Sequence, residues 1–392
     1  MCFASQRTVT VILLMGLWTS PSFAQRFKVV DLQTLGGDSS VATGINVEGQ
    51  VVGYSNTAGN AAMHATVWRS SVPTDLGTLG GVNSYAYGIN DLGEIVGDSD
   101  TPSGYYGHAA LWIGGEATDL GTLGGGGSVA YGINNDGQIV GLASIADGFT
   151  NATLWNDTTP TDIATSREAF SVAYSINDDG QIAGQQNLPE PLAYLWTGFA
   201  ATNLVSPIHN DGLSNAVAVN AAGQVVGWAQ ADSSNSSTGA VHHAVQWISA
   251  SGIDLGTLGG DSSEAQGINA AGMVVGWAET ASGIKHAALW RKGVAIDLNT
   301  RIGSAEAASV TLTEAIAISE KCWIAANGLD TASGGRKAYL LVWNDPSHCR
   351  KCGRASDDGR DKDDGRDKDD RDSVADSKRK CDSAEEFSWS SR

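Results

Sequence analysis

Residues 119–141 read DLGTLGGGGSVAYGINNDGQIVG, and pieces of this stretch recur along the whole chain. DLGTLGG begins again at Asp75 and Asp254, with DLQTLGG at Asp31. GIN occurs at Gly44, Gly88, Gly132 and Gly267, and degrades to SIN at Ser175, AVN at Ala218 and AIS at Ala317. Ile45, Ile89, Ile133, Ile176, Val219, Ile268 and Ile318 therefore mark seven copies, each about 45 residues long.

Within a copy the apolar residues alternate with period two, the signature of strands rather than helices. The first strand carries Ala42, Ala86, Ala130, Ala173, Ala216, Ala265 or Ala315 two places before the Gly position. Asn-x-x-Gly follows in six copies, which is the chemistry of a tight turn between antiparallel strands. A second strand reads VVG, IVG, IAG or IAA. After a variable loop comes a third strand: HATVW, HAALW, NATLW, LAYLW, HAVQW, HAALW and finally AYLLVW. The short run entering DLGTL is the fourth.

Four strands per repeat match a propeller blade. Counting strands tests closure. The chain opens on Phe27–Leu32, a fourth-type strand, and its last copy stops at Trp343 after a third-type strand. The pattern thus predicts an all-β, seven-bladed β-propeller of four-stranded blades. The ring is closed by the N-terminal strand, with Val29–Leu32 beside Ala338–Trp343. Because blades taper inward, the Ala/Gly face of each first strand is expected at the axis. The tryptophans Trp68, Trp112, Trp155, Trp196, Trp247, Trp290 and Trp343 are expected to fill the gaps between blades.

The linked elements GINxxGxVVG, HAxLW and DLGTLGG resemble the HAF-repeat family of extracellular bacterial proteins, over roughly residues 26–343. The chain departs from that pattern at DIATSREAF (162–170), which replaces DLGTLGG, and at Ser319-Glu320-Lys321-Cys322, which replaces Asn-x-x-Gly. The resemblance implies export and a repeat fold; it brings no catalytic residues.

The two ends carry an address and a tail. Arg7, the apolar run Val9–Trp18 and Ser22-Phe23-Ala24 before Gln25 have the order of a secretory signal peptide, residues 1–24. The run of about ten residues is too short to span a bilayer, so no membrane insertion is expected. Residues 344–392 hold 12 Asp, 2 Glu and 12 Lys or Arg, with DDGRDK starting at Asp357 and Asp363. Such alternating charge with little apolar surface predicts a solvated, disordered tail. Its closely spaced aspartates raise the possibility of Ca²⁺, against which the interleaved bases count; no cofactor is otherwise expected.

The whole chain has 392 residues, 49 of them Gly, and a formal charge of -19. That charge argues against nucleic acid as a partner, because phosphates would be repelled. His64, His108, His243 and His286 occupy one position in different repeats. Equivalent positions spread around a ring cannot converge on a metal, so a structural hydrogen-bonding role is expected. No HExxH, GxSxG, P-loop or dinucleotide fingerprint occurs. Cys322, Cys349, Cys352 and Cys381 are disulfide candidates in an exported chain, with Cys322 expected to bond Cys349 or Cys352.

Variable loops between second and third strands are where binding is expected. Tyr105, Tyr106, Trp228 and Trp277 in them are candidate stacking groups for a glycan or a peptide. The favoured reading is an exported, non-catalytic, monomeric scaffold that binds an extracellular glycan or protein through its rim loops. The alternative is a secreted hydrolase or lyase acting on polysaccharide or peptide through carboxylates in the axial channel.

Overall fold

Asn134 and Gly137 show how one blade begins. The Gly137 N–H donates to the Asn134 carbonyl at 3.2 Å, and Gly137 takes a φ of 76°, a backbone conformation that costs glycine nothing. This turn joins the strands Gly124–Ile133 and Ile139–Ile145, and Thr150–Asn156 and Thr159–Asp162 complete an antiparallel four-stranded sheet. The computed structural model contains seven such sheets. It describes residues 27–343 except 105–106, 167–168, 188–189, 210–211, 232–240 and 250. The signal peptide and tail expected at 1–24 and 344–392 lie outside the described residues.

The protein is a seven-bladed β-propeller. Its last blade takes three strands from the end of the ring, Val310–Ile318, Ile324–Asp330 and Arg336–Trp343, and its outer strand, Phe27–Asp31, from the beginning. Phe27 pairs with Trp343 and Asp31 with Tyr339, antiparallel. The blade lacks an outer strand of its own, and the opening segment satisfies what would be a bare sheet edge. Across the seam to the first blade, the buried Asn327 side chain accepts from Ala42 N at 2.8 Å and donates to Ala42 O at 3.1 Å.

The core is distributed between blades rather than within them. Seven buried clusters occur among the described residues, each drawing on two neighbouring blades. Trp155, for example, packs with Val96 and Ala109 of the preceding blade, and its indole N–H donates to Leu120 O at 2.9 Å. Six of the expected tryptophans are almost wholly buried. In the seventh blade Leu341 pairs with Ile324, where the other blades place the indole, and Trp343 sits two residues on. There it meets Phe27 of the paired opening strand edge-on at 4.6 Å, in the cluster shared with blade six.

The alanine face of the inner strand does not lie on the axis. A β-bulge between Ala130 and Gly132, repeated in the other blades, puts the alanine into the inter-blade core. The axis instead receives the residue after the alanine and the Gly position beyond it. The same bulge explains VVG: a Cβ on Gly141 would sit 1.9 Å from the Val129 carbonyl oxygen, so only glycine fits.

Repeated polar residues tie each blade to the next. The Asn134 side chain donates to Gln138 Oε1 at 2.9 Å within its own turn, and to Asn177 O of the next blade at 3.1 Å. Asn46, Asn90, Asn177 and Asn220 do the same at 3.0–3.2 Å. At the seam the chain of asparagines ends, and Trp323 lies over Gly49 while Lys321 approaches Glu48 at 3.6 Å. Cys322 occupies the turn's glycine position with a φ of 58°. It is buried and disulfide-bonded, and its partner lies outside the described residues.

Candidate functional site: the mouth of the axial channel

Antiparallel order puts the DLGTLGG crossings and the loops between second and third strands on one rim, and the Asn-x-x-Gly turns on the other. The axial channel runs between them as a cavity of about 330 Å³. Thr43, Tyr87, Tyr131, Tyr174, Val217, Gln266 and Ile316 of the inner strands face it, above the ring of Gly44, Ile45 and their equivalents. None of its lining residues is Asp or Glu.

The carboxylates gather instead at the mouth on the crossing side, in two dissimilar halves. On the first four blades the tyrosines meet in two groups: Tyr54 and Tyr85 have ring centroids 5.1 Å apart, and Tyr131 lies 5.3 Å from Tyr87 and 5.4 Å from Tyr174. Asp98 stands opposite Tyr85 in the strand pair, and the Tyr87 hydroxyl lies close enough to its carboxyl to influence its protonation. Burial pushes its carboxyl up to about 6, and neighbouring Asp100 adds to the rise while the Tyr87 hydroxyl opposes it. Burial also raises Tyr54, Tyr85, Tyr87, Tyr131 and Tyr174 above the ordinary phenol value.

The other half is charge-matched. Glu264 accepts from the Trp277 indole N–H at 2.9 Å, contacts His242 Nε2 at 2.9 Å and accepts from Gln266 at 3.1 Å. Burial alone would raise Glu264, but the bonds from His242 and Trp277 win and hold it below the usual carboxylate range. The His242 ring lies between Trp228 at 5.2 Å and Trp277 at 5.7 Å, and Lys285 sits 4.2 Å over the Trp277 ring. Glu314 holds Lys285 at 3.3 Å and Arg336 besides.

Trp228 and Trp277 therefore belong to this mouth, but not as loop residues. They lie in the second strands Val225–Gln230 and Val274–Thr280, because pairing continues past the point where the repeats diverge. Trp228 is half-buried, and Trp277 is buried at 9% exposure. Tyr105, Tyr106, Cys349, Cys352 and Cys381 lie outside the described residues. The structure adds the tyrosine groups, Glu264 and Glu314, which the sequence did not single out, and distinguishes Asp98, which the sequence offers with Asp100 only as one acidic pair among many. A signal was present: the residue after VVG reads Tyr54, Asp98, Leu142, Gln185, Trp228 and Trp277, changing between repeats while the glycine before it does not.

The repeated histidines are structural. His64, His108, His243 and His286 each bond the aspartate that opens the crossing, at 2.8–2.9 Å, and in blade three Asn151 holds Asp162 at 2.9 Å. Among the described residues no group of three or more His, Cys, Asp or Glu is placed to hold a metal ion. No helix among them is long and apolar enough to cross a membrane.

No family model matches the chain, and no curated protein matches it in sequence. Solved structures resemble it at low identity. TolB from Acinetobacter baumannii is 12% identical with a TM-score of 0.42, over 76% of this chain. This chain spans 64% of that TolB chain. The β-propeller domain of the Trilobed protease from Pyrococcus furiosus is 9% identical with a TM-score of 0.47, over 78% of this chain and 96% of that one.

Proposed function

We propose that the protein is an exported, HAF-repeat-like scaffold that binds an extracellular glycan or protein ligand at the crossing-side mouth of its channel, without transforming it. One observation carries this reading. The repeated polar side chains are engaged in holding the ring together, whereas the residues that differ between blades converge on the mouth as aromatics and carboxylates. Rigid scaffolds place binding groups where their elements end. The alternative, hydrolysis by carboxylates inside the channel, has less support, because the channel lining carries no Asp or Glu. Export rests on the order of charge, apolar run and small residues in 1–24.

A glycan and peptide array, run with and without Ca²⁺, tests the binding reading. Ligands should be retained by the unaltered protein and lost on Tyr131→Ala or Trp228→Ala, with no product released. Retention unaffected by either variant would refute the mouth as the site. Sequencing the secreted protein from Gln25 onward tests export.

A further inference from the structure

The two halves of the mouth differ in how their carboxylates are answered. Glu264 meets His242, and Glu314 meets Lys285 and Arg336. Among the described residues, Asp98 is met by the neutral phenol of Tyr87 and a second carboxylate, Asp100. Around it the rings of Tyr54, Tyr85, Tyr87 and Tyr131 stand tilted to one another by 79° and 47°. Rings so inclined make no flat platform for a run of sugars. They present both faces and edges beside a carboxylate, and a cation is attracted to ring faces.

We propose that Asp98, with the rings of Tyr85, Tyr87 and Tyr131, forms a site for an alkylammonium group, the lysine side chain of a peptide ligand entering the channel mouth. This rests on the reading of the mouth as the binding surface, and names its ligand. Lysine suits the opening because its stem is slender and apolar and its charge is terminal. The acidic body adds attraction at longer range.

The test is titration of N-acetyl-lysine amide, and of its uncharged norleucine counterpart, into the full-length exported protein by calorimetry. The lysine probe should bind about tenfold or more tightly than the norleucine one, and Asp98→Asn should abolish the difference. Two further measurements use the unaltered protein, so that misfolding of the variant does not enter. Lysine affinity should fall with added salt. It should also fall as pH drops through about 6, where Asp98 takes a proton. Among the described residues the groups facing Asp98 are Asp100 and the phenols of Tyr85, Tyr87 and Tyr131, which burial keeps neutral in this range, with Tyr54, Arg336 and Glu314 beyond them.

Equal affinity for the two probes, or a flat pH profile, overturns the proposal. So does glucosamine binding as well as lysine. Array ligands lost on Tyr131→Ala yet indifferent to Asp98→Asn and to competing lysine amide would overturn this inference and leave the mouth reading standing. Array ligands indifferent to Tyr131→Ala and Trp228→Ala would remove that reading itself.

Discussion

The two ends of the axial channel are built from the same seven repeats and yet do opposite things. At the turn rim, blade after blade presents the same asparagine to the same carbonyl of its neighbour, at 3.0–3.2 Å from Asn46 to Asn220. At the crossing-side mouth, the residue after VVG is tyrosine, aspartate, leucine, glutamine or tryptophan. The difference teaches where a ring can vary. A repeated hydrogen bond fixes the angle between blades once for all seven, and positions outside that bonding are released from it. Blade seven, which lacks the asparagine, makes up the contact with Trp323 over Gly49 and Lys321 beside Glu48.

If that division is right, substitutions at inter-blade positions unfold the ring, and substitutions at the mouth leave it folded. The largest expected effect is at Trp155, fully buried between blades two and three and hydrogen-bonded to Leu120 O. Trp155→Ala should lose about 3–5 kcal/mol in urea unfolding, whereas Tyr131→Ala, half-buried at the mouth, should lose far less. Equal losses would erase the distinction.

Asp98 sharpens it, because a group kept for binding can be a burden on the fold. Its folded value of about 6 lies above the ordinary carboxyl value, so its contribution is most favourable at low pH. That contribution is lost as pH rises through about 6, when a half-buried carboxylate must ionise. Asp98→Asn should therefore be more stable than the parent at about pH 8, by up to about 2–3 kcal/mol, and no more stable at about pH 4. A denaturation series against pH checks this. A variant destabilised at every pH would mean that the carboxylate is structural.

How much of this was legible follows from which physical rule each residue obeys. Seven blades, four strands each, and the closure of Phe27–Asp31 on Arg336–Trp343 could be counted, because period and pairing repeat. The axial face could not be assigned correctly. Strict alternation puts Ala130 and Gly132 on one side, and the bulge between them breaks the alternation where the strand meets the axis. The mouth was half legible. Trp228 and Trp277 stood out as aromatics, but Tyr87, Tyr131 and Tyr174 sit in inner strands, inside AYG and AYS segments that read as ordinary strand. Asp98 and Glu264 are one acid each among many until the fold sets their partners.

A smaller loss is expected at the turn rim. Asn134→Ala removes the bonds to Gln138 Oε1 and Asn177 O and strands that carbonyl in a buried place, at a cost of about 1–3 kcal/mol. The equivalent loss at Asn269 should be less, since its bond to Ser319 O is already 3.4 Å long. Parallel melts of the two variants compare an ordinary blade junction with the one leading into the seventh blade.

The smallest expected effect tests whether the histidine position carries charge or only a bond. The hydrogen bond to Asp254 raises His243 above its ordinary value, against the pull of burial and of His242, and Asp261 O adds to the rise. Its stabilisation is complete below the ordinary histidine value and fades as pH rises through the raised one. Asp254 works in the other direction: despite burial, the His243 bond and the Gly256 N–H lower it, so its stabilisation fades only in acid. Blade three already carries the neutral replacement, Asn151, bonded to Asp162 at 2.9 Å. His243→Asn should accordingly keep the bond and flatten the stability profile between about pH 6 and pH 8, by under about 1 kcal/mol, because the pair is partly exposed. A profile unchanged by the substitution would show that the position needs a donor to the crossing aspartate and nothing more, which is what blade three has in any case.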